Sequence, residues 1–141
     1  MAGTLTLRVI TPERIALDTQ VQSVRIPGAD GSLGILPRHA PMVAALDSGL
    51  LHYRIDGKEQ LLFVSGGFAE VRGENLRVVT EAGEKPEEID EARAREAEKR
   101  ARERMAGTLK PVEGEPLDLV RAELALRRAL WRQRAIEYSS Q

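Results

Sequence analysis

The chain has 141 residues, 42% apolar and 30% charged, with 21 Lys and Arg against 22 Asp and Glu for a formal net charge of -1. That length suits one domain, or one small domain plus an appendage; the balanced charge implies no general affinity for nucleic acid, and the lack of cysteine excludes disulfides, thiolate zinc sites and thiol nucleophiles. His39 and His52 are the only histidines, too few for a histidine-rich metal site, so no metal centre is expected. No apolar run approaches the roughly 20 residues of a membrane span. The opening Met-Ala-Gly-Thr-Leu-Thr lacks the basic-then-apolar pattern of a signal peptide, so a soluble cytosolic protein is expected, one compatible with a seat on a membrane-bound complex.

Residues 1–85 read as short strands. Leu5, Leu7 and Val9 alternate with polar residues, the period of a half-buried strand. Val21, Val24 and Ile26 mark a second. Tyr53 and Ile55 lead into Asp56-Gly57, a strong two-residue hairpin signal, and Leu61 to Val64 form the return strand. Ala69 and Val71, then Leu76, Val78 and Val79, flank a turn at Arg72-Gly73-Glu74-Asn75. Turns at this frequency, with no helical period between strands, predict an all-β sandwich or flattened barrel and disfavour a parallel βαβ arrangement.

Composition shifts near Glu81-Ala82-Gly83-Glu84-Lys85-Pro86: residues 1–85 carry 19 charges and residues 86–141 carry 24 in a shorter span. Two helices are predicted beyond this linker. Pro86 suits the start of the first, and Glu87, Glu88, Asp90 and Glu91 suit the positive end of its dipole. Ala94, Ala97, Ala101 and Met105 form a narrow apolar stripe, with Gly107 as a C-cap. After a loop at Lys110–Pro116, the second helix is predicted over about Leu117 to Tyr138. Ala122, Ala125 and Ala129, with Ile136 below, lie on one face; Leu117, Val120, Leu124, Trp131 and Ala135 lie on another. The alanines of the two helices can meet in an antiparallel hairpin, leaving the Leu/Trp face for another surface. Alanine contacts bury little area, so the helices form readily while their attachment is weak.

Arginine recurs at the same spacing on both helices: Arg93, Arg100 and Arg104, then Arg121, Arg128 and Arg132. Each set is one longitudinal stripe. One reading is a solvated face with ordinary pairs such as Glu96 with Arg100. The other is an anionic partner, ligand or acidic protein surface. Arg128 and Arg132 have no Asp or Glu four residues away on either side, and Asp90 lies close in angle to the Arg93–Arg100–Arg104 edge. A carboxylate beside several guanidiniums can accept from a ribose or amine while arginines hold phosphates. Gly31–Met42 is rich in Gly and Pro but lacks the Lys-Ser/Thr of a phosphate loop. His39 has no matched nucleophile, so it reads as a packed or interface histidine before a catalytic base, and no catalytic residue is assigned. Ser65-Gly66-Gly67 lacks a Gly-x-Ser-x-Gly elbow and marks close backbone approach.

Gly-Ile-Leu-Pro-Arg-His-Ala-Pro at 34–41, Val-Ser-Gly-Gly-Phe at 64–68, Asp-Glu-Ala-Arg-Ala at 90–94 and Arg-Ala-Glu-Leu-Ala-Leu-Arg-Arg-Ala at 121–129 occur in this order on a β-then-αα layout. In these pieces, over nearly its whole length, the chain resembles the epsilon subunits of F-type ATP synthases. The resemblance implies an α+β protein: an N-terminal ten-stranded β-sandwich (1–85) followed by a C-terminal antiparallel two-helix hairpin (86–141). It implies a non-catalytic place in the central stalk, with the gamma subunit and the polar loops of the c-ring as partners of the sandwich through Asp30, Gly31, Ser32 and His39. It implies coupling of ring rotation to gamma. The hairpin would contact the α/β catalytic subunits and brake ATP hydrolysis when extended. The location implied is peripheral, on the cytoplasmic face of the cell membrane.

Some members of that family bind ATP on the folded hairpin through an Ile/Leu-Asp-x-x-Arg-Ala motif. Here it reads Ile89-Asp90-Glu91-Ala92-Arg93-Ala94. The resemblance matches the further arginines of that site to Arg100, Arg128 and Arg132, and an acidic residue before the motif to Glu84. ATP is then a regulatory ligand and no cofactor is implied. Two other classes stay open on the residues: a freestanding nucleotide-binding module without a rotary partner, and an enzyme using His39.

Overall fold

A computed structural model describes residues 3–107 and 118–140. Eight strands occur among them: β1 (Leu5–Ile10), β2 (Ile15–Val21), β3 (Ser23–Gly28), β4 (Gly31–Ile35), β5 (Met42–Ile55), β6 (Lys58–Arg72), β7 (Asn75–Val79) and β8 (Gly83–Glu84). They hydrogen-bond in the order β2-β1-β7-β6-β5-β3-β4, with β8 added to β6. The strand expected over Val21, Val24 and Ile26 is two strands, joined at Gln22. The residue numbers carry the reason: Val21 is odd, Val24 and Ile26 are even, and all three are buried, so the period-2 phase breaks between them. At that break the chain leaves β1, the partner of β2, and crosses to β5 and β4, the partners of β3.

β5 and β6 form one long hairpin closed by Asp56 (φ 49°) and Gly57 (φ 74°), both left-handed as a type I′ turn requires. Their register runs from Leu46↔Gly67 to Ser48↔Ser65, passing over Asp47 and Gly66. The buried face shifts at the same place. Leu46 gives way to Leu51 and Tyr53, and Leu62 and Val64 give way to Ala69 and Val71. Each long strand therefore serves both layers of the sandwich, and the described residues hold eight strands where the resemblance implied ten. β6 changes partner at this bend: Phe63 and Val64 pair with β8, and Phe68 onward pairs with β7. Ser65 N–H donates to Thr80 Oγ1 (2.9 Å), which donates to the Ala82 carbonyl (3.2 Å), so the polar groups at the changeover are satisfied. Gly67 (φ 98°) is required here, because a Cβ would lie 1.9 Å from the Val79 carbonyl oxygen. The main core, with Leu7, Val9, Ile26, Leu51, Val64 and Leu76 fully enclosed, lies between the layers. β1 and β7 pair in parallel, but the chain between them is the rest of the sandwich and not a helix.

Pro86 opens a 3₁₀ turn (Pro86–Glu88) instead of the first α-helix. Glu88 reaches back so that its Oε1 accepts from the Lys85 N–H (2.9 Å), and Ile89 returns to an extended conformation. α1 (Glu91–Ala106) then starts at Asp90, whose Oδ1 accepts from the Arg93 N–H at 3.1 Å. Gly107 caps its end, as its position predicts. α2 (Leu119–Ser139) starts at Asp118. The loop expected at Lys110–Pro116 and the helix start at Leu117 lie outside the described residues.

Ala94, Ala101, Ala122 and Ala129 are buried where α1 and α2 pack together. Met105, expected on the same stripe, is 43% exposed. Across the seam the Glu98 carboxylate accepts from the Gln133 amide at 2.8 Å. The Leu/Trp face divides. Ala135 is completely buried against Leu50 and Phe63 on the outer surface of the sandwich, with Trp131 beside it, whereas Val120 is 67% exposed.

Three outcomes follow from this packing. Gly67→Ala is expected to destabilise the body by about 3 kcal/mol or more, read from the denaturant midpoint of the full chain. Ala135→Glu puts a carboxylate into an apolar contact and is expected to undock α2, shifting the emission of Trp131, the single tryptophan, to longer wavelength while the sandwich stays folded. The Gln133 amide, and next the Arg102 guanidinium, hold the Glu98 carboxyl below the usual carboxylate range. A depressed acid stabilises the fold above its unfolded pKa and loses that contribution as pH falls through its folded value. Amide protection along the helical seam should therefore drop as pH falls below about 4, and Glu98→Gln should flatten that acid limb.

Candidate functional site

Where the arm meets the body there is a cleft of about 540 Å³, lined by Glu84, Glu88, Ile89, Asp90, Arg93, Ala94, Glu96, Ala97, Arg100 and Arg132. Body, linker and both helices each contribute. β8 supplies Glu84 because it is held on the edge of β6. The 3₁₀ turn supplies Glu88. α1 presents Arg93 and Arg100, which lie on one face two turns apart. α2 runs antiparallel to α1, so its C-terminal half returns Arg132 to the start of α1.

The residues Ile89 to Ala94 each have a local task. Ile89 packs beside Leu50, Phe63 and Ala135. Asp90 caps α1 with one carboxylate oxygen, Arg93 borders the cleft, and Ala94 is buried in the seam. Arg132 is the most constrained cation. Its Nε and Nη2 donate to the two oxygens of Glu84 at 2.9 and 3.2 Å, and its guanidinium carbon lies 4.7 Å from the Phe63 ring centroid. Pair and stack together hold α2 to the body. Arg93 and Arg100 differ. Among the described residues neither guanidinium has a carboxylate within ion-pair distance; the pairs on α1 are Arg95–Glu91 and Arg102–Glu98. The Glu96–Arg100 pair of the solvated-face reading is not formed. Two cations thus border the cavity with no internal partner, which suits an anion.

The two arginine stripes do not gather six cations in one place. Arg104, Arg121 and Arg128 stand outside the lining, Arg128 one helical turn before Arg132. The alanine seam sets the rotation of each helix, and only the ends nearest the body converge on the cleft. Glu88 and Glu96 line it although sequence reasoning named neither as a site residue. Glu88 carried a signal, since it stands three residues after Lys85, the spacing of a residue that folds back on a turn. Glu96 carried none.

The four residues expected at a partner interface are spread over two turns. Asp30, Gly31 and Ser32 lie at the turn between β3 and β4, where Ser32 Oγ accepts from Arg25 at 3.1 Å. His39 lies beyond the other end of β4, and its Nδ1 donates to the Ala40 carbonyl at 2.7 Å.

Comparison with known proteins follows this layout. Residues 4–86 match the β-sandwich domain of the ATP synthase delta/epsilon chain, and residues 87–137 match its long α-helix domain. Similar relatives include the ATP synthase epsilon chain of Nitratidesulfovibrio vulgaris strain DP4, 44% identical over 134 residues, 95% of this chain and 96% of that one. That of Carboxydothermus hydrogenoformans is 47% identical over 106 residues, 75% of this chain and 79% of the relative. Among solved structures, a chain in the cryo-EM structure of the Euglena gracilis mitochondrial ATP synthase (OSCP/F1/c-ring, rotational state 1) superposes with a TM-score of 0.75. It covers 99% of this chain and 82% of its own, and at 22% identity the likeness concerns the fold. A sandwich with a helical arm at its edge, matched over both parts, places this chain in the ATP synthase delta/epsilon chain family.

Proposed function

We propose that the chain is a non-catalytic epsilon-type subunit of the central stalk of an F-type ATP synthase. Residues 1–85 form the body that couples ring rotation to the gamma subunit, and residues 86–141 form a regulatory arm. The body meets gamma and the polar loops of the c-ring through surfaces that include Asp30, Gly31, Ser32 and His39. It sits peripherally on the cytoplasmic face of the membrane through the complex; no described helix is long and apolar enough to cross a membrane. The arm, when it leaves the body, reaches the α/β catalytic subunits and brakes ATP hydrolysis. Full-length similarity to bacterial epsilon chains supports the stalk reading.

ATP is the regulatory ligand of this reading. One observation carries it: a cavity of about 540 Å³ at the body–arm joint is bordered by the guanidiniums of Arg93 and Arg100, which have no ion-pair partner among the described residues. Cavities of roughly 300–1,000 Å³ hold small ligands of this class. The arginines take the phosphates, Asp90 offers its remaining carboxylate lone pairs to ribose hydroxyls or the base amine, Ile89 and Ala94 supply apolar wall, and Glu84 orients Arg132. Arg128 reaches the ligand only by extending past its own turn. The cavity exists only while the arm is docked, so ATP stabilises the docked state by its differential affinity and opposes the braking conformation.

Calorimetric titration of the full chain tests the ligand. A charged hydrogen bond contributes roughly 1.5–3 kcal/mol, so Arg100→Ala is expected to weaken ATP binding by about tenfold or more, and Arg128→Ala by less. No heat at millimolar ATP removes the sensing role. The stalk role is tested separately by co-purification: stoichiometric gamma subunit is expected, and its absence favours a freestanding nucleotide-binding module.

A further inference from the structure

The lining of the cleft is not positive. It holds four carboxylates (Glu84, Glu88, Asp90, Glu96) against three guanidiniums (Arg93, Arg100, Arg132), one formal negative charge in excess. A triphosphate entering such a space meets net repulsion unless a carboxylate is neutralised from outside. Glu84 is already paired with Arg132, which lies within the cleft. Glu88 is paired with a residue outside it. Arg14, in the turn between β1 and β2, places Nη2 3.0 Å from Glu88 Oε2 and donates from the same atom to the Gly83 carbonyl at 2.9 Å. Thr11 fixes the base of that turn, its N–H donating to the Arg14 carbonyl at 2.9 Å. The other oxygen of Glu88 holds the Lys85 N–H. One cation of the sandwich thus grips both the strand that carries Glu84 and the turn that leads to Asp90.

We propose that Arg14 is an affinity-determining residue of the cleft, acting through Glu88: it cancels that carboxylate and holds the linker in the shape that presents Asp90 and Arg93 to the nucleotide. This rests on the nucleotide reading above. It makes a turn near the start of the body, more than 60 residues from the arm in sequence, part of the arm's control. Arg14 and Glu88 side chains are 46% and 34% exposed, so solvent weakens the effect. It is greatest at low ionic strength, where exposed charges are least screened.

The experiment is a calorimetric ATP titration of five full-length chains at low salt: wild type, Arg14→Met, Arg14→Lys, Glu88→Gln and the Arg14→Met/Glu88→Gln double variant. Trp131 emission without nucleotide records arm docking in each. Arg14→Met is expected to weaken ATP binding about fivefold, and Glu88→Gln added to it to restore most of the loss, because the uncompensated carboxylate is then gone. Arg14→Lys, keeping the charge, should stay within about twofold of wild type. Unchanged affinity in Arg14→Met overturns the proposal. So does a double variant no better than Arg14→Met, or one whose arm stays undocked, since Arg14 then serves the fold alone. A wild-type chain that gives no heat instead fails the nucleotide reading itself and takes this inference with it, a result distinct from wild-type binding that Arg14→Met leaves intact.

Discussion

The architecture depends on one small contact: Arg132 lying on the Phe63 ring, clamped by Glu84, with Ala135 seated beside it. No other part of α2 is as fully enclosed by the body. The energies are modest. An ion pair with both side chains 27% exposed contributes about 1 kcal/mol, an arginine over an aromatic ring about 0.5–2 kcal/mol, and a buried alanine methyl about 0.8 kcal/mol. These are small terms, of the size that a ligand or partner with unequal affinity for two states can offset. The second ion pair from α2 to the body, Arg127 with Asp47 at 3.5 Å, is about half exposed on both sides and adds little.

The body is the opposite case. Its core is continuous through both layers, and its long hairpin keeps one register from end to end while its buried face changes at Asp47 and Gly66. That change of face leaves Leu50 and Phe63 outside the main core. A rigid sandwich thereby acquires an apolar spot on its outside, and the arm docks on it. The fold of the body and the docking of the arm are connected here, because Phe63 is buried with Ala135 of the arm and not in the main core.

Division of labour within Ile89–Ala94 explains how one short segment serves packing and chemistry together. The cap made by Asp90 starts α1 and fixes the angle at which Arg93 leaves the helix. Ile89 ties that start to the apolar spot that receives Ala135. Formation of the cleft and docking of the arm are in this way one event.

Much of this was legible in the residues themselves. Alternation in Leu5–Val9, the Asp56-Gly57 turn, the double glycine at 66–67, the alanine seams and the Gly107 cap all express rules that act within a few residues of chain, so local patterns determined the elements and the β-then-αα order. The parity break between Val21 and Val24 was also there, although it reads as one strand until the partners are known. Arg93 and Arg100 could be named from spacing, but which arginines lack carboxylate partners could not. Ion pairs and cavities form between segments far apart in sequence, as Arg14–Glu88 and Glu84–Arg132 do, and no local pattern encodes where two surfaces meet. Tertiary structure alone decided that Arg132 is a clasp, that Arg128 stands aside and that the cleft carries an excess of acid, because each depends on the rotation of helices set by packing against a sheet.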